Sequence, residues 1–200
     1  MSTIKSAKIT LRKKMLNVLN DLDNNKKKLQ SEIIFNKLVS LPQYNESKKI
    51  ALYLSTPNEV DTIPILKDIF SKKKDAFVPC YQKETMNMMK IYSMEDYNKL
   101  PLTKWNIKQP DSQEIREKAF ETSGLDLIIL PGLAFTRDGK RLGHGKGYYD
   151  KYIKSIVLDG KQMPYLIALS FNEQIHENIP TNENDMNVNI VLTEKDDVIL

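Results

Sequence analysis

A single cysteine, Cys80, occurs in 200 residues. No disulfide can close within the chain, so the fold must rest on its core, as in a reducing compartment. No window approaches the roughly 18 apolar residues of a membrane-crossing helix. The basic amino terminus, MSTIKSAKITLRKKML, carries no apolar run of signal-peptide length. The two histidines, His144 and His176, have no metal-ligand spacing, and Cys80 has no histidine nearby and reads as buried and inert. Neither a nucleophile elbow nor a Ser-His-Asp signal is present. Glycine is scarce, with seven in all, yet three fall within RLGHGKGYYDKY, Arg141 to Tyr152.

What is present is ordinary for a single globular domain. A chain of this length buries about two-thirds of its unfolded surface, so a core needs no staples. The net charge is +4 with both signs interspersed, which suits nucleic acid or small polyanions equally. Lys5, Lys8, Arg12, Lys13 and Lys14 are spaced as in an amphipathic transit peptide. The pattern continues unbroken into Leu16 and Leu19, which favours a structured helix and a cytoplasmic protein.

Helical spacing predicts helices over 3–23 and 27–40, separated by the polar NNKKK and ended by Leu41-Pro42. Compact apolar runs predict strands at KKIALYLS (48–55), DAFVPCY, DLIILPG (126–132), PYLIALS (164–170) and VNIVLTE (188–194). MNMMKIY is a further strand, antiparallel or at an edge. Helices are expected at EVDTIPILKDIFSKKK, with Pro64 in its first turn, and at GYYDKYIKSIVLDG, ending at Gly160. Strands alternating with helices argue an α/β fold with a mostly parallel sheet covered on both faces. An N-terminal helical pair (1–41) packs on the 48–194 core, in one domain.

In such sheets ligands sit beyond the carboxyl ends of the strands. Gly143, Gly145 and Gly147 lie there, leading into a helix. Glycine lets backbone approach a ligand, and the helix N-terminus favours an anion; Lys140, Arg141 and Lys146 add positive charge. The spacing is not that of a P-loop and matches the dinucleotide fingerprint only loosely. On the local pattern, a phosphate cradle and a plain glycine-rich turn with solvated lysines both remain open.

The surrounding residues divide the same way. Asp150 either favours the helix dipole or holds Mg²⁺ beside phosphates. Tyr148 and Tyr149 are core, or their hydroxyls reach a ligand. Glu59, in LSTPNEVDT, caps a helix or accepts hydrogen bonds from an N–H-rich heterocycle. Asp185, in NENDMNVN, belongs to a solvated turn or to a second metal contact. Trp105, the one tryptophan, anchors a loop or stacks on a flat ligand.

LPGLAFTRDGKRLGHGKGYYDKYI resembles the signature region of 5-formyltetrahydrofolate cyclo-ligases, also called 5,10-methenyltetrahydrofolate synthetases. AKITLRKKM, IALYLSTPNEVDT, WNIKQP, GLDLIILPGLAF and PTNENDMNVN match the same family in order and spacing, from about residue 7 to residue 193. The resemblance implies a three-layer α/β/α sandwich with a mostly parallel, Rossmann-like sheet, and ATP-dependent closure of 5-formyltetrahydrofolate to 5,10-methenyltetrahydrofolate, with release of ADP and phosphate. It implies that Lys8, Ile9, Thr10, Leu11 and Arg12 meet ATP from the first helix. Arg141, Leu142, Gly143, His144, Gly145, Lys146, Gly147, Tyr148 and Tyr149 would wrap its phosphates, and positions 144–148 would border the folate. Leu54, Glu59 and Trp105 would contact that substrate, Asp150 and Asp185 would hold Mg²⁺, and Arg141, Lys146, Tyr148 and Tyr149 would be catalytic. Many relatives in that family carry Arg, or a small or apolar residue, where this chain has His144. Lys146→Ala and Asp150→Ala are expected to lower turnover with the fold intact.

Two other classes use parts of the same pattern. A sugar-phosphate isomerase or coenzyme A transferase relative would use the anion cradle without consuming ATP. A nucleic-acid module would use the basic first helix and show steep salt dependence, but Glu59, Asp150 and Asp185 near the cleft oppose it. The partners expected are therefore small molecules, with no nucleic acid or membrane, acting on a monomer.

Overall fold

Apolar runs bounded by turn residues become strands that are buried on both faces. In the computed structural model, which describes residues 3–103 and 106–195, the strands are β1 (Lys49–Leu52), β2 (Asp75–Gln82), β3 (Thr85–Ile91), β4 (Leu127–Leu130), β5 (Ala134–Phe135), β6 (Arg141–Leu142), β7 (Tyr165–Leu169) and β8 (Ile190–Leu192). Six of them form one sheet in the order β3-β2-β1-β4-β7-β8. All neighbours are parallel except β2 and β3, an antiparallel hairpin that puts β3 at the edge.

Every residue of β4 is buried. Successive side chains point to opposite faces, so a fully buried strand requires cover on both. Ile128 and Ile129 each have no exposed surface, and burying such a side chain stabilises by about 1.5–3 kcal/mol. The cover comes from helices α1 (Thr3–Asp21), α2 (Asn24–Ser40), α3 (Pro42–Glu46), α4 (Ile63–Ser71), α5 (Met94–Lys99) and α6 (Tyr148–Leu158). Helix α4 packs on β2 and α6 on β3, while α2 packs on α3 and α4. This is the α/β class with a mostly parallel sheet that the sequence implies.

One difference lies between the first two helices. The polar stretch 24–28 does not break the chain. Asp23 caps α2 by accepting a hydrogen bond from the Lys26 N–H at 3.0 Å, so the helix begins at Asn24. A side-chain cap compensates open N–H groups that a run of polar residues would otherwise leave to water. Helix α5, capped by Ser93, is too short for periodicity to reveal.

From β1 the chain proceeds to β2 on one side, and later enters β4 on the other side of β1. The loops leaving β1 and β4 therefore diverge, which opens a crevice at this switch point. After β4 the chain folds into the β5–β6 hairpin, which carries Arg141 back toward that crevice. The hairpin turn is docked at Gly139, whose carbonyl accepts a hydrogen bond from the Val188 N–H at 2.9 Å. A Cβ at Gly139 would lie 2.3 Å from the Val188 carbonyl oxygen, and φ is +89°. Only glycine fits this close approach.

Candidate active site

Two cavities meet at the glycine loop. The first, about 470 Å³, occupies the crevice at the switch point. Its walls are mostly apolar: Tyr53 and Leu54 after β1, Pro79 and Tyr81 on β2, Ile107 from the 101–118 segment, Pro131 after β4, and Tyr148 and Tyr149 at the start of α6. Polar groups lie among them at Glu59, His144, Lys146 and Gln109. The second, about 850 Å³, lies between α1, the glycine loop and the segment before β8. Five cationic side chains line it, Lys5, Lys8, Arg12, Lys151 and Lys154, against the carboxylates Asp150 and Asp185. Gly143, Gly147 and Asp150 line both.

The glycine loop can separate two ligands because it presents little besides backbone. Gly145 and Gly147 have φ of +107° and +68°, a region that other residues enter at a cost. Gly147 is also the N-cap of α6 and brings no side-chain acceptor. The first N–H groups of the helix are thus left for another acceptor, and the helix dipole makes an anion the favoured one. The Arg12 Nε–H donates to the Gly143 carbonyl at 2.9 Å, tying α1 to the loop.

Both carboxylates expected at a metal are held by cations. Lys8 Nζ donates to the two oxygens of Asp185, at 2.7 and 2.5 Å. Arg141 donates to both oxygens of Asp150, each at 3.1 Å, and to the Pro131 carbonyl at 3.1 Å. Asp150 also accepts from the Met186 N–H at 3.0 Å, which links α6 to the segment carrying Asp185. The Arg141 side chain is 4% exposed. Its guanidinium lies 5.7 Å from the centre of the Tyr149 ring, and its Nε is buried without a partner.

Glu59 is fixed by its own turn. One oxygen accepts from the Thr56 N–H at 2.8 Å and the Thr56 hydroxyl at 2.9 Å. The other lies 3.6 Å from His144 Nε2. That leaves a mostly buried carboxylate oxygen at the cavity wall, suited to N–H donors of a ligand. Tyr148 stacks at a tilt on Tyr81, with centroids 4.9 Å apart, and its hydroxyl donates to the Lys83 carbonyl at 2.8 Å. The Tyr149 hydroxyl is buried beside that of Tyr81. Burial pushes both up, Tyr149 well above the ordinary tyrosine value and Tyr81 to about 12, so both are protonated donors at neutral pH.

The residues expected from sequence distribute unevenly. Lys8, Ile9, Arg12, Leu142, Gly143, Gly145, Gly147, Asp150 and Asp185 line the basic cleft. Leu54, Glu59, Arg141, His144, Lys146, Tyr148 and Tyr149 line the apolar cavity. Thr10 and Leu11 line neither: Thr10 is exposed, and Leu11 packs against the core. Helical geometry explains this, since 5, 8, 9 and 12 share one face of α1. Trp105 lies outside the described residues. Sequence reasoning assigned no site role to Lys5, Lys151, Lys154, Tyr81 or Gln109. The i, i+3 spacing of Lys5 to Lys8 and the i, i+4 spacing of Lys154 to Asp150 were the available signal for two of them.

A doubly wound sheet with a switch-point crevice and a basic, glycine-lined helix N-terminus places the chain among α/β proteins whose ligand crevice is suited to an anion. The particular family follows from comparison with known proteins. The sequence pattern of the 5-formyltetrahydrofolate cyclo-ligase family matches residues 4–194. The 5-formyltetrahydrofolate cyclo-ligase of Mus musculus is 45% identical over 194 residues, covering 96% of each chain. A mitochondrial 5-formyltetrahydrofolate cyclo-ligase of Arabidopsis thaliana is 33% identical over 213 residues, covering 96% of this chain and 76% of that one. The NMR structure of Aquifex aeolicus 5,10-methenyltetrahydrofolate synthetase, at 30% identity, superposes with a TM-score of 0.76 over 94% of this chain and 90% of that one. The chain belongs to the 5-formyltetrahydrofolate cyclo-ligase family, and is thus a ligase.

Proposed function

We propose that this protein closes 5-formyltetrahydrofolate to 5,10-methenyltetrahydrofolate at the expense of ATP, releasing ADP and phosphate. The observation that carries the reading is the meeting of an apolar cavity and a basic cleft at one glycine loop, in a chain of this family. A flat, largely apolar heterocycle fits the first cavity, with Glu59 accepting from its N–H groups. A triphosphate fits the second, where Lys5, Lys8, Arg12, Lys151 and Lys154 oppose its charge.

A formamide carbonyl is a poor electrophile, and its oxygen is a poor leaving group. In the proposed reaction the formyl oxygen bonds to the γ-phosphorus as the bond to the β-bridging oxygen breaks, giving ADP. The folate nitrogen 10 then bonds to the formyl carbon and loses its proton, and the carbon–oxygen bond breaks to release phosphate. No protein nucleophile is needed. The chain positions the two substrates and offsets developing charge, with Lys146 and the loop N–H groups facing the place of transfer. Arg141 orients Asp150 and the Tyr149 ring.

The donor set fits Mg²⁺. Asp150 and Asp185 share the cleft with Asn182 and Asn184, all oxygen donors. Among the described residues no group of three or more His, Cys, Asp or Glu forms a cage. Such a site suits a hard cation that keeps waters and phosphate oxygens as ligands. Bound there, the ion would supply positive charge at the phosphates, and the two aspartates would exchange part of their contact with Lys8 and Arg141 for it. Action as a cytoplasmic monomer is part of the same proposal; no helix among the described residues is long and apolar enough to cross a membrane.

Mixing the protein with Mg-ATP and 5-formyltetrahydrofolate should raise the methenyl absorbance in the near ultraviolet, with one ADP per product. Product without ATP, or none with it, would refute the reading. Lys146→Ala should lower turnover by about 10²-fold with an unchanged melting temperature, since Lys146 is exposed and lines the cavity. Full activity would remove Lys146 from the reaction.

A further inference from the structure

β2 outruns its neighbour. β1 pairs with it from Asp75 only as far as Phe77 and then turns away into the crevice, while β2 continues to Gln82. On its other side β3 accompanies it to the end, with Tyr81 opposite Met86. The side of β2 that faced β1 is therefore an open edge just where it enters the apolar cavity. Buried backbone donors and acceptors need partners, and an open edge beside a ligand cavity would be soft.

Gln109 closes that edge. Its side-chain oxygen accepts from the Tyr81 N–H at 3.0 Å, and its side-chain N–H donates to the Tyr81 carbonyl at 3.3 Å. A primary amide presents one donor and one acceptor side by side, as a strand residue does, so this side chain replaces the missing neighbour strand for one residue. The segment that bears it is braced around the same point. The Gln109 N–H donates to the Pro101 carbonyl at 3.1 Å, Leu102 bridges Lys108, and the Cys80 thiol meets the Pro110 carbonyl at 3.4 Å. Thr103, Ile107 and Lys108 of this segment line the cavity, as does Tyr81, whose ring lies against Tyr148.

We propose that Gln109 is a positioning and specificity-determining residue: its amide clamps the wall formed by Thr103, Ile107 and Lys108 to the open edge of β2 and so shapes the apolar cavity for the folate, without touching the nucleotide cleft. This rests on the function proposed above. None of Gln109, Tyr81 or the wall lines the basic cleft, so the clamp should act on one substrate alone.

The test compares the whole protein with Gln109→Ala, which removes both bonds, and Gln109→Glu, which keeps the acceptor but sets a carboxylate oxygen against the Tyr81 carbonyl. Hydrogen exchange at the Tyr81 amide should accelerate in the Ala variant by about tenfold, the scale of one lost hydrogen bond, with the β4 amides unchanged. The KM for 5-formyltetrahydrofolate should rise about tenfold in both variants while that for ATP stays within about twofold. A merely structural residue would move both KM values together, and that result, or an unchanged Tyr81 amide, would overturn the proposal. The exchange measurement needs no turnover. If the wild-type protein makes no methenyl product, the proposed function and the specificity role fail together; if it does and only the KM split is missing, the specificity role alone fails.

Discussion

Replacing Asp150 with Asn should destabilise the protein before any question of catalysis arises. The substitution removes the carboxylate's charge while keeping an oxygen that can accept from the Met186 N–H. It leaves the Arg141 guanidinium, 4% exposed and already lacking a partner at Nε, without a counter-charge. Breaking a buried ion pair from one side costs about 3–5 kcal/mol. Asp150 is 18% exposed and the amide retains part of the contact, so the lower end applies, about 3 kcal/mol. In a chain of this size each kcal/mol shifts the melting temperature by about 2–4 °C, so the fall should be roughly 6–12 °C. Thermal melts without nucleotide or metal measure it free of any role in the reaction. Asp150→Asn combined with Arg141→Met buries no charge and should recover most of the loss, giving a coupling of about 2 kcal/mol in a double-mutant cycle. A fall under about 2 °C, or losses that simply add, would refute the account of Asp150 as the counter-ion that keeps Arg141 buried. The sequence expectation that Asp150→Ala leaves the fold intact is revised for the same reason: its turnover would mix two effects.

Gly139→Ala should cost about 2–4 kcal/mol in denaturant unfolding, because its Cβ would meet the Val188 carbonyl at 2.3 Å at a φ of +89°; a change under about 0.5 kcal/mol would show that the hairpin turn is not docked as described. Stability should also fall as pH rises above 10. Burial raises the tyrosines Tyr53, Tyr149 and Tyr152 above their ordinary value of 10.0. The unfolded chain then releases protons that the folded chain retains, so stability is complete below pH 10 and declines above it. Urea midpoints at increasing pH should decrease, with tyrosinate absorbance from these residues appearing only on unfolding; its full appearance in folded protein at pH 10 would refute the assignment.

The central strands were legible because both faces of a parallel strand are apolar, and such runs stand out in DLIILPG and PYLIALS. The glycine loop was legible because scarce glycines cluster there. The β5–β6 hairpin was not, since strands of two residues have no period to read. Gln109 was not either: its partner is a backbone edge left open by β1, and no local pattern in WNIKQP records where a distant strand ends.

The linear order of residues thus determined the α/β class, the helix that follows the glycine loop and the family, because these depend on local periodicity and on short spacings. Tertiary structure decided which charges face which. Lys8 finds Asp185 across 177 positions, Arg12 reaches the Gly143 carbonyl across 131, and Arg141 turns into the protein toward Asp150. Electrostatic and hydrogen-bond energies depend on distance and burial in space, and neither is a function of separation along the chain.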